Sequence, residues 1–129
     1  MPQFMLLIYG PAEGGPSPDE MEAEMPRWVE YTQALRDAGA MVSGEPLETP
    51  DAARTVRVRG GARQVTEGPF ASTSEVLGGF YVIDVPDLEA AEEWAAKIPS
   101  APYGSVEVRP IMVFPDAAEA TGAEASRSA

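Results

Sequence analysis

The stretch GFYVIDVPDLEAAEEWAAKI, residues 79–98, changes hydrophobic period in its middle. Gly79 to Val85 is dense in aromatic and β-branched residues, as a strand requires. Pro86-Asp87 breaks the run, and Leu88, Ala91, Trp94, Ala95 and Ile98 then recur at helical spacing. Lys97 and Pro99 mark the end of that helix. The chain opens with the same succession. Phe4 to Tyr9 is a continuous apolar run closed by Gly10-Pro11, and a Gly/Pro-rich loop follows from Ala12 to Pro18. Ser17-Pro18-Asp19-Glu20 then combines a Ser N-cap, a proline at the first helical position and a glutamate at the third, the pattern of a capping box. Met21, Met25, Trp28, Thr32 and Leu35 share one face of the helix this starts, and Gly39 is its stop. Pro26 lies inside it. Without an N–H, and clashing one turn back, it predicts a kink or a break into two segments near Met25.

The rest of the chain supplies strands. Ala40 to Ser43 suits a short one. Thr55 to Arg59 alternates polar and apolar, Gly60-Gly61 turns the chain, and Arg63 to Thr66 returns, which is a β-hairpin signal. Ser105 to Phe114 reads as a last strand whose apolar phase shifts at Pro110, predicting a bulge, bend or edge there. The order is strand, helix, strand, inserted hairpin, strand, helix, strand. That predicts an α+β, ferredoxin-like βαββαβ fold with both helices on one face of an antiparallel sheet. No third helix is available for the other face, so a second copy is its expected cover and a homodimer is expected. From Pro115 to Ala129 no aromatic or large aliphatic residue occurs, so a domain over residues 1–114 and a disordered, acidic, Ala-rich tail over 115–129 are expected.

Composition narrows the chemistry. The 129 residues include no histidine and no cysteine. Ser-His-Asp and Cys-His catalysis, a histidine pH switch, disulfides and an ordinary zinc site are therefore excluded, and no metal is expected. Carboxylates, arginines, tyrosines and hydroxyls remain. With 21 acidic against 9 basic residues the net charge is −12, which repels phosphate and anionic lipid, so neither nucleic acid nor membrane is an expected partner. Residues 1–114 hold 18 of the acids and 8 of the bases, so the acidity belongs to the domain. MPQFMLLIYG has no basic leader or cleavage site, and its apolar run is too short to span a bilayer; a cytoplasmic protein is expected. The segments GPAEGGP and GG lack the lysine of a P-loop and the spacing of a dinucleotide motif, so no cofactor is expected.

The segments TVRVRGG, QVTEGPFASTSEVLGGFYVIDVPDLEAAEEWAAKIP and GSVEVRPIM, between Thr55 and Met112, together closely resemble the YCII-related, DGPF-type family. Its signature runs approximately D-G-P-F-A-E-T-K-E and then L-G-G-[FY]. The opening MLLIYG and the SGEPL segment are similar to the family's as well. The resemblance implies a ferredoxin-like subunit forming a dimeric α/β-barrel that holds small organic molecules at its mouth or beside its sheet. It implies no settled activity: most members have none assigned, one relative of the wider family dechlorinates a chlorinated hydroquinone, and better-known members carry a His–Asp pair proposed as catalytic. That pair does not carry over to a chain without histidine. Within the signature Glu67, Ser72 and Ser74 replace Asp, Glu and Lys, while Gly68, Pro69, Phe70, Thr73 and Glu75 keep the pattern.

Each candidate ligand-binding residue has a functional and a structural reading. Glu67 with Phe70 presents a carboxylate and an apolar wall, or forms a rigid turn with Gly68 and Pro69. Thr73 and Glu75 divide in the same way, between contacting a ligand and capping a local turn. Glu107 and Arg109 share a strand face, where they grip a polar ligand or form an ion pair across the sheet or the dimer seam. Tyr81 alternates with Phe80, so one of the two meets the helices and the other the partner or cavity. Arg57, Arg59 and Arg63 make a local basic spot, either a binding patch or a charged edge that resists aggregation. Two functions follow. The first is ligand binding in a dimeric α/β-barrel without histidine-based catalysis. The alternative is a small-molecule lyase or isomerase working through carboxylate acid/base chemistry.

Overall fold

The computed structural model describes residues 1–70 and 73–114. The tail expected from Pro115 onward lies outside the described residues, as does Ser72 of the signature. The elements are β1 (Gln3–Pro11), α1 (Pro18–Asp37), β2 (Met41–Pro46), a 3-10 turn (Pro50–Ala52), β3 (Arg54–Arg59), β4 (Ala62–Glu67), β5 (Glu75–Asp84), α2 (Leu88–Ala96) and β6 (Ser105–Pro110). Four strands form one antiparallel sheet in the order β2-β5-β1-β6, and β3 pairs only with β4. This is the α+β, ferredoxin-like arrangement, with the hairpin inserted between the second and third strands of the sheet.

Local chemistry places the elements. Ser17 Oγ accepts from the Glu20 N–H at 3.2 Å, and Glu20 Oε1 accepts from the Ser17 N–H at 2.9 Å, a complete capping box. The bond from the Ser17 backbone, then that from its hydroxyl, holds the Glu20 carboxyl below its ordinary pKa. Asp87 caps α2 by accepting from the Ala90 N–H at 2.9 Å. The expected break at Pro26 does not occur, because α1 runs as one helix through it. Pro26 is exposed, so the Glu22 carbonyl that it leaves without a partner lies on the watery side of the helix.

Three strand boundaries also differ from expectation. β2 extends to Pro46. β5 begins at Glu75, carried upstream by a bulge that leaves Gly78 unpaired between the Ile8–Gly79 and Tyr9–Leu77 pairs. β6 ends at Pro110 and not at Phe114; one further bond, from the Ile111 N–H to the Gln3 carbonyl at 2.9 Å, closes the ladder. The phase shift at Pro110 is therefore the end of the strand.

Both helices pack on one sheet face. Phe4, Leu6 and Ile8 of β1 and Tyr81 and Ile83 of β5 meet Tyr31 and Leu35 of α1 and Ala91, Ala95 and Ile98 at and beyond α2. Alternation sends Met5, Leu7 and Tyr9 to the opposite face. There Leu7 lies between Phe80 and Glu107, and Met5 between Val82 and Arg109. The helices leave this second face uncovered, with Met5, Leu7 and Phe80 half-buried and only Val82 of the four buried.

Candidate functional site

The carboxyl end of β1 meets the starts of β5 and β6 at one margin of the uncovered face. A hollow of about 410 Å³ opens there, lined by Tyr9, Thr73, Ser74, Glu75, Ser105, Val106 and Glu107. The Ser105 hydroxyl donates to the Glu75 carboxylate, at 2.8 Å to one oxygen and 3.0 Å to the other. Thr73 Oγ1 donates to the carbonyl of Glu75, and the Ala12 N–H donates to the Ser74 carbonyl at 2.8 Å. These bonds tie the segment entering β5 to the end of β1. Glu107 stands on the opposite side of the hollow, where Arg109 Nε donates to its Oε2 at 2.8 Å and Arg109 Nη2 donates to the same oxygen. That hydrogen-bonded pairing, with the negative charge beside it, raises the Arg109 pKa further. Glu107 Oε2 is thereby engaged by Arg109.

The residues singled out from the sequence separate into three groups. Thr73, Glu75 and Glu107 come together at the hollow, with Arg109 beside them through its pairing. Glu67 and Phe70 do not line it. Glu67 closes β4, exposed and 3.9 Å from Arg54, and Phe70 lies under the Arg57 guanidinium at 5.2 Å from the ring centre. Gly68 between them has φ +91°, and its N–H and carbonyl bond to the Ala53 carbonyl and the Thr55 hydroxyl. The turn reading of this segment is what the geometry displays. Tyr81 is removed from the hollow altogether. It is buried on the helix side, hydrogen-bonded to Thr32 Oγ1 at 2.7 Å and edge-on to Tyr31. Phe80 takes the open face in its place.

Tyr9, an aromatic residue more expected in the core than at a ligand, and Ser105, which no motif marks, also line the hollow. Strand alternation against Ile8 is the signal that would have turned Tyr9 outward, and Ser105 is reached only through the β1–β6 register. A second hollow, of about 460 Å³, lies between the loop after β1 and the loop before β6. Of its two acids, Glu20 is held in the capping box, and Glu24 already accepts from Tyr103 Oη at 2.8 and 3.0 Å and from Trp28 Nε1 at 2.9 Å, which makes it a tie between α1 and the later loop.

The first hollow thus offers two carboxylates, the hydroxyls of Thr73, Ser74 and Ser105, and the Tyr9 ring beside an apolar sheet face. Such a set accepts hydrogen bonds from a ligand's N–H or O–H groups and packs against its carbon skeleton. Among the described residues no three acids gather as a metal site would require, and no helix is long and apolar enough to cross a membrane.

A stretch of 80 residues, 60% of this chain, is 39% identical to an uncharacterized protein of Rhizobium meliloti (strain 1021), and the match spans 64% of that relative. The model of the YCII-related domain matches residues 2–115, almost all of the described chain. This chain therefore belongs to the YCII-related domain family.

Proposed function

We propose that the protein binds a small organic ligand in the Glu75–Ser105–Glu107 hollow, as a dimer whose second copy lays its sheet over the uncovered face. One observation carries this reading: hydrogen-bonding groups from three strands converge at the margin of a face whose centre, Met5, Leu7, Phe80 and Val82, is apolar. A partner sheet would convert an open margin into a barrel mouth, with polar groups at the rim and carbon at the base. The ligand this suits is a flat or branched organic molecule carrying hydroxyl or amine donors. The cytoplasm is the proposed setting, in keeping with a chain that carries no cysteine.

The test is a thermal-shift screen of phenols, amines and hydroxylated metabolites, run on the protein and on a Glu75→Gln/Glu107→Gln variant. A ligand that stabilises the protein should lose at least about tenfold in affinity in the variant, about 1.4 kcal/mol. Equal stabilisation of both proteins removes the hollow from consideration. Turnover of the stabilising compound would instead favour carboxylate acid/base catalysis in the same place.

A further inference from the structure

The β3–β4 hairpin pairs with no strand of the main sheet, yet one of its faces is apolar. Val56 and Val58 alternate on β3, and Val65 lies directly opposite Val56 on β4. All three are more than half exposed. Arg54 and Arg63 occupy the same face, opposite Glu67 and Val58 respectively. Four of the nine basic residues of the chain, Arg54, Arg57, Arg59 and Arg63, sit on this arm beside one acid. Elsewhere in residues 1–114 there are 17 acids against 4 bases. The arm is thus a positively charged, valine-faced strand pair attached to a strongly negative body.

A matching surface exists on the first three turns of α1. Met21, Met25 and Val29 follow at successive fourth positions and are each more than half exposed, although Met21 and Met25 lie on the helix face that further on carries Trp28, Thr32 and Leu35. Glu22, one turn before Met25 and two before Val29, borders them. The spacings agree: side chains four apart on a helix are about 6 Å apart along its axis, and alternate residues of a strand about 7 Å. The valine face of the arm can therefore seat on the methionine stripe with Arg63 or Arg54 reaching Glu22.

The geometry points to the arm of one copy docking on α1 of a second copy, through Val56, Val58 and Val65 against Met21, Met25 and Val29. The charge imbalance between arm and body argues for the partner: a second molecule of the same chain presents the acidic body that this basic arm complements. Opposite charge steers the encounter, and the six apolar side chains provide the contact. This interface is separate from the sheet face and does not rest on the ligand reading.

The absence of cysteine from the chain allows a clean test. Full-length Val58→Cys carrying an affinity tag is mixed with untagged Met25→Cys and oxidised at micromolar concentration. Both positions are exposed, so neither substitution disturbs the core. Mixed dimers should form faster than either same-site dimer, and faster than with Glu93→Cys on the outside of α2 as the control. Arg63→Glu should slow them by about tenfold, and Glu22→Arg in the partner should restore the rate. Mixed dimers no faster than the control overturn the proposal. So does a Val58→Cys/Met25→Cys double variant that closes its bond within one chain at high dilution, since the arm would then belong to its own helix.

Discussion

At Tyr103 a phenol on the loop before β6 donates to both oxygens of Glu24 on α1. Partial burial first, and then the hydrogen bond and negative charge of that carboxylate, push the phenol from 10.0 up to about 12. Tyr31, buried between the helices and edge-on to Tyr81 and Trp94, is pushed up as well, mainly by burial. A raised acid favours its protonated form in the folded state. Tyr103 therefore adds stability that is complete below its ordinary pKa and lost as the pH rises through about 12. Tyr103→Phe should remove one late-ionising group from an ultraviolet phenolate titration. It should also cost about 1 kcal/mol at neutral pH and flatten the fall in stability on the alkaline side. Loss of a phenol that ionises in the ordinary range near 10, in place of a late one, would dismiss the tie to Glu24. The tyrosines also show where single residues stop being legible. Alternation in FYVID separates Tyr81 from Phe80, but both flanking faces of β1 are apolar, Phe4-Leu6-Ile8 against Met5-Leu7-Tyr9. Pattern alone assigns the two faces and leaves open which one meets the helices.

Elements were legible where a local bond defines them. Ser17-Pro18-Asp19-Glu20 specifies its own start through two hydrogen bonds between residues three apart, and the structure contains both. Ser17→Ala should therefore cost about 1 kcal/mol in denaturant unfolding. The mid-helix proline does not break α1, because its effect depends on which side of the helix faces water. The glycine before β6 carries no sequence signal either. A Cβ on Gly104 would collide with the Tyr9 carbonyl oxygen and approach the Ser100 carbonyl oxygen at 3.2 Å. Both neighbours are backbone, Tyr9 in the β1 ladder and Ser100 bonded to the Gly104 N–H at 2.8 Å, so they cannot give way as a flexible side chain would. Gly104→Ala should lower stability by about 1–3 kcal/mol. Because Ser105 follows directly, it should also weaken any ligand of the hollow more than Ser17→Ala does. Equal ligand affinity in the two variants would separate the placement of Ser105 from the packing at Gly104. Of the site itself, Glu75 and Glu107 were legible as candidates, while their meeting with Tyr9 and Ser105 depends on a three-strand register with a bulge at Gly78.

At the scale of the molecule, the succession of periods in residues 4–9, 18–35 and 79–98 was enough for the α+β class, while the order β2-β5-β1-β6, with β5 and β1 at the centre, is set by the pairing of the strands. The standing of the uncovered face is a question about two neighbouring leucines. Leu6 is fully buried under the helices, and Leu7 looks the other way, between Phe80 and Glu107. Leu6→Ala deletes core atoms and leaves a void, so it should cost about 3 kcal/mol in any assembly state. Leu7→Glu should leave the fold of one copy standing, since the carboxylate reaches water at the open face. In a dimer closed sheet to sheet, however, it would bury two charges near the twofold axis with Glu107 already nearby, and burying charges without partners costs several kcal/mol. Light scattering should then find a dimer for the parent protein and for Leu6→Ala below its unfolding temperature, and a monomer for Leu7→Glu with native circular dichroism. A parent protein that is monomeric at micromolar concentration, or a Leu7→Glu variant that stays dimeric, would mean that something other than a second sheet covers Met5, Leu7, Phe80 and Val82. The hollow at their margin would then have to bind as the open surface that a single copy presents.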